Sequence, residues 1–148
     1  MLTLTRRTGE TIYLGDDICV TVYDRLRYHV MIGVLAPANA RLQFGEASLR
    51  PAILPDGERF YLLTMLSQDV FFIDDVRVKV RFNPTYLAAV SLRTRQIKVD
   101  VHAPHAVEIY REEIYLRRLQ QAGKRLPALS FSAWLHQANV SVSSRAAA

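Results

Sequence analysis

The chain has 148 residues, half of them hydrophobic, with 19 Lys and Arg against 14 Asp and Glu for a formal net charge of +5. That is enough apolar material for one compact domain, and no apolar run approaches the roughly 20 residues that span a bilayer. The positive balance fits an acidic partner such as RNA, DNA or an anionic membrane, while a lone cysteine, Cys19, excludes an internal disulfide or a cysteine cluster for zinc and suits a reducing cytosol.

The opening "MLTLTRRTGE" alternates Leu2 and Leu4 with Thr3 and Thr5, so a strand with one apolar face is expected there. Arg6 and Arg7 end the run and Gly9 supplies a turn. Charge at this place reads either as protection of an edge strand or as a surface prepared for an anion. Arginines also stand where a signal peptide would carry its apolar core, so export is not expected.

Further along, "GDDICVTVYD" and "IDDVRVKVRF" each place an Asp pair before a period-two strand: Ile18, Val20, Val22 in the first and Val76, Val78, Val80 in the second. Cys19 falls inside the first and reads as a small buried hydrophobe. "HVMIGVLAPANARLQFGEASLR" and "QIKVDVHAPHAVEIYREEIYLR" then repeat a strand, an Ala-Pro break, a short strand and a Leu-Arg ending, with Pro37 matching Pro104. Two β-rich copies are therefore expected, residues 1–50 and 60–123, joined by the Pro- and Gly-bearing linker 51–59. The second copy carries an insertion near 82–95. It alone has a helical pattern, "YREEIYLRRLQQAG", with Glu112 and Glu113 at its positive end, Glu113 one turn before Arg117, and Gly123 as a stop. Residues 124–148 are expected to form a tail, helical at the start around Trp134 and disordered at its small polar end. The fold class expected is mainly β with a C-terminal helix.

"LTRRTGE", "IGVLAP" and "REEIY" together resemble the carbon storage regulator (CsrA/RsmA) family of bacterial translational repressors, over nearly all of residues 1–120. The resemblance implies short chains of five strands and a helix that form an interlocked homodimer. It also implies RNA hairpins with a GGA core as ligands, each bound between the first strand of one subunit and the fifth of the other. Two copies in one chain depart from that pattern and imply a covalent pseudo-dimer, monomeric because each copy supplies the other's strand partners.

The copies keep different halves of the motif set. Met65 and Leu66 stand where the first copy has Arg6 and Arg7, and Phe44 stands where the second has Arg111. The resemblance thus implies one composite RNA site: Leu4, Thr5, Arg6 and Arg7 with Val107, Ile109, Tyr110 and Arg111, joined by Ala103 and Pro104 of the turn before the last strand. His105 occupies a place where the family usually has a basic residue. Chemically, Arg111 suits bidentate recognition of guanine, Arg6 and Arg7 suit phosphate, and Leu4 offers an apolar contact. Arg111 could instead pair with Glu108 or a neighbouring helix, and the Arg77, Lys79, Arg81 stripe reads first as a solvated face.

No P-loop or dinucleotide glycine pattern is present. His29, His102, His105 and His136 lack metal-ligand spacing. No enzyme, cofactor or metal is therefore expected. The leading expectation is a cytoplasmic regulator binding mRNA or small regulatory RNA with GGA motifs, without DNA or membrane partners. The alternative is a degenerate relative that acts as a protein-interaction module.

Overall fold

The computed structural model describes residues 1–46, 49–83 and 96–121. The insertion residues 84–95, the expected helix stop Gly123 and the tail 124–148 lie outside the described residues. The described chain builds eleven strands and a helix: β1 Leu2–Arg7, β2 Thr11–Leu14, β3 Ile18–Arg25, β4 Val30–Ala36, β5 Leu42–Gln43, β6 Ala52–Ile53, β7 Arg59–Met65, β8 Val70–Ile73, β9 Val76–Arg81, β10 Gln96–His102, β11 Ile109–Arg111 and α1 Glu112–Gln121. No described helix is long and apolar enough to cross a membrane.

The strands form two antiparallel sheets, one of order β1-β10-β9-β8-β5 and one of order β11-β2-β3-β4-β7-β6. β1 and β7 are each in a different sheet from the strand that follows them. β1 leaves its own hairpin partner and pairs with β10, placing Arg6 opposite Ile97. β7 pairs with β4 in the same relation, Met65 opposite Val30. β11 lies on β2 with Tyr110 opposite Tyr13, and β5 lies on β8 with Gln43 opposite Phe72.

Period-two patterning decides which faces meet. Val76, Val78 and Val80 of β9 and Ile97, Val99 and Val101 of β10 are all buried, and with Ile12, Val20, Val22, Ile32, Val34, Leu63 and Phe71 they form one core fed by both sheets. β3 is buried on both faces, because Tyr13, Cys19 and Tyr115 make a second, smaller cluster between the six-stranded sheet and α1. The Tyr13 and Tyr115 rings stack with centroids 4.1 Å apart. Burial pushes the Cys19 thiol up to about 12, so it is a neutral, unreactive filler at ordinary pH.

One expectation is corrected. The helix begins at Glu112, not Tyr110, because Ile109–Arg111 are held extended against β2. Within residues 51–59, Ala52 and Ile53 pair with Phe60 and Arg59, and Gly57, at φ 89°, closes the hairpin that brings β6 onto β7.

Candidate nucleic-acid interface

β1 and β11 are the outer strands of their sheets, so each leaves one row of main-chain groups outside the ladder. The turn after β1 orders this edge. Gly9 takes φ 88°, the Glu10 amide donates to the Arg7 carbonyl at 3.0 Å, and the Arg7 amide donates to Glu10 Oε1 at 2.7 Å. The "GE" after the arginines is thereby explained as turn chemistry.

Leu4 is half-buried and packs on the core. Thr5 is half-buried and its hydroxyl accepts from Lys98 Nζ at 2.6 Å. Arg7 is exposed, and the Gln96 side-chain oxygen, oriented toward it, accepts from its Nε and Nη2 at 3.2 Å. Arg6 occupies a different station from the open phosphate contact expected of it. It is 4% exposed, donating from Nε to the Thr5 carbonyl at 2.9 Å and from Nη2 to Glu113 Oε1 at 3.2 Å.

On the other side of the site, Val107 and Ile109 pack partly buried on the core, and the Tyr110 hydroxyl donates to the Glu108 carboxylate. Ala103 is half-buried and Pro104 exposed, in a turn closed by the Val107 amide donating to the Pro104 carbonyl at 3.0 Å. Arg111 is half-exposed, with Nε 3.6 Å from Glu113 Oε1. Its pairing is therefore with the helix start, while Glu108 is engaged by Tyr110.

Glu113 is the residue that sequence reasoning missed. It read as a helix-dipole partner with Arg117 in reach, yet its carboxylate lies between Arg6 and Arg111 and ties β1 to the β11–α1 junction. Partial burial pushes the carboxyl up, but the hydrogen bond from Arg6, that from its own backbone and the charges of Arg6 and Arg111 outweigh this and hold it below the usual carboxylate range. Only a fold that crosses β1 over to the other half of the chain reveals this, since Arg6 and Glu113 are 107 positions apart.

The opposite combination of strands is different in kind. Met65, which takes the register place of Arg6, is fully buried with no charge to satisfy. Leu66 is half-exposed and Phe44 packs partly buried on the core.

Residues 1–47 match the family model described as the global regulator protein family CsrA. Among similar curated proteins, the translational regulator CsrA of Hydrogenovibrio crunogenus is 44% identical over 50 residues, 34% of this chain and 71% of that protein. This chain belongs to the CsrA family. The CsrA of Leifsonia xyli subsp. xyli is 48% identical over 46 residues, 31% of this chain, and that of Pseudarthrobacter chlorophenolicus is 46% identical over 46 residues, also 31% of this chain. The chain spans only 54% and 60% of the lengths of these last two CsrA proteins. No solved structure matches the chain. The family match thus covers the strands from β1 to β5 and stops before β7.

Proposed function

We propose that this chain is an RNA-binding translational regulator, a repressor that holds GGA-containing hairpin loops of mRNA leaders at one composite site. The observation that carries the reading is the Glu113 bridge, which brings the Arg6 end of β1 and the half-exposed Arg111 of β11 onto one carboxylate. A splayed-out loop offers base edges to main-chain groups of an outer strand. Arg111 would present its planar fork to a guanine, with Arg7 on phosphate and Leu4 beneath a base. Arg6 acts through Glu113, as a positioning residue for Arg111.

We also read residues 1–50 and 60–123 as two CsrA-like copies, interlocked as a covalent pseudo-dimer. The equivalence of registers supports this. Arg6 opposite Ile97 corresponds to Met65 opposite Val30, and Tyr110 opposite Tyr13 corresponds to Gln43 opposite Phe72. Since each copy's outer strands complete the other's sheet, the chain is expected to sediment as a folded monomer at micromolar concentration. An obligate dimer would contradict the pseudo-dimer.

The second combination, β7 with β5, offers Met65, Leu66 and Phe44 where cations would be needed, and β6 covers the start of β7. One hairpin per chain is therefore expected in a calorimetric titration with a short GGA-loop RNA, and none with a loop lacking GGA. Two equivalent sites would overturn the composite site. Binding indifferent to GGA, or no binding, would leave a protein-interaction module as the better account.

A further inference from the structure

We propose that the outer face of the five-stranded sheet is a second, sequence-independent RNA surface, taking the phosphate backbone of the strands that flank the bound hairpin. The proposal rests on the RNA-binding reading above and extends it beyond the β1–β11 edge.

Residues opposite each other in an antiparallel pair share a face. Because Val76, Val78 and Val80 point into the core, Arg77, Lys79 and Arg81 point outward. Register then sets Thr5, Lys98 and Arg81 in one row across β1, β10 and β9, and Arg7 beside Gln96 in the next. Rows on the other side hold Thr3, Asp100 and Lys79, then His102, Arg77 and Phe72. Asp100 is the lone carboxylate among these strand residues. It is already engaged, accepting from Arg81 Nη2 at 2.9 Å and from the Thr3 hydroxyl at 2.7 Å.

Arg81 is compensated by Asp100, which leaves Lys98, Arg77 and Lys79 as cations of this face with no carboxylate beside them in their rows except Asp100. The other sheet shows what the same face looks like when it is structural. There Tyr13, between Tyr110 and Cys19, is covered by α1. Its register counterpart Phe72, between Gln43 and Arg77, is 42% exposed, and α1, the one helix among the described residues, packs on β11 and β2 instead.

The basic face is also continuous with the candidate site. Lys98 donates to Thr5 on β1, and with strands about 4.8 Å apart β9 lies roughly 10 Å from β1. RNA leaving the β1 edge reaches Lys79 and Arg77 without a detour. Charge complementarity selects a phosphate backbone, and cations spread over a sheet face meet phosphates rather than base edges, which makes the contact indifferent to sequence.

The test compares a minimal GGA hairpin with the same hairpin carrying single-stranded flanks, on the native chain and on an Arg77→Thr, Lys79→Thr double variant. Threonine keeps strand preference, and neither residue touches the composite site. The native chain should bind the flanked RNA more tightly and with a steeper salt dependence. The variant should match it on the minimal hairpin but lose a salt slope of about 1.4 on the flanked RNA, two phosphates at about 0.7 each. Between about 50 and 200 mM salt, the native advantage should then shrink roughly sevenfold. Flanks that add nothing, or a variant equal to the native chain on flanked RNA, would overturn this proposal alone. Failure of the native chain to bind the minimal hairpin would overturn the underlying reading as well.

Discussion

Arg111→Ala should weaken binding of a GGA-loop hairpin by roughly 1–3 kcal/mol, the usual worth of one bidentate guanine contact, with the fold intact. Arg111 is half-exposed, and its ion pair with Glu113, at 3.6 Å, is of the partly solvated kind that contributes about 1 kcal/mol or less. Removing it therefore costs recognition far more than stability. Arg111→Lys should recover little, because an ammonium keeps the charge but not the planar fork. Phe44 follows Leu42 and Gln43 as Arg111 follows Ile109 and Tyr110, so Phe44→Ala is the matched control and should leave RNA affinity nearly unchanged. Anisotropy titrations with a labelled hairpin, alongside thermal melts, separate the effects. Unchanged affinity of Arg111→Ala would remove the residue from the site, and a collapsed melt would make it structural.

The largest effect on stability is expected at Phe71. Its side chain is fully buried in the core on β8, whereas Phe72, the next residue, is 42% exposed on the opposite face. Phe71→Ala should cost about 3–5 kcal/mol through lost burial and the cavity left behind, a large part of the roughly 5–15 kcal/mol that holds a domain together. Phe72→Ala should stay within about 0.5 kcal/mol, as exposed positions usually do. Urea unfolding midpoints of the two variants decide it. A small loss from Phe71→Ala with a large one from Phe72→Ala would mean that β8 presents its other face to the core, since a one-residue slip exchanges every side chain between faces.

Local patterning is legible in the amino-acid sequence by itself. The alternation of Val76, Val78 and Val80 with Arg77, Lys79 and Arg81 marks a half-buried strand, and it is one. The acidic pair at Glu112 and Glu113 marks a helix start, and α1 begins there. Cys19 reads as a small apolar filler and sits buried under Tyr115. Each of these follows from side-chain period, dipole or size within a few residues, so neighbours along the chain suffice.

What only the tertiary structure decided are the pairings between distant residues. Arg6 looks like a surface cation because arginine usually is, yet it is buried, made tolerable by a carboxylate that α1 delivers from the far end of the described chain. Asp100 alternates with valines as a solvent-facing acid would, but it accepts from Arg81 and Thr3 and is buried on a face otherwise rich in cations. Tyr110 and Arg111 open a helical pattern by composition and are pulled into β11 opposite Tyr13 and Ile12. In all three cases the local sequence leaves two states close in energy. Contacts between separate strands, the Arg6–Glu113 pair, the Arg81–Asp100 pair and the β11–β2 ladder, select between them.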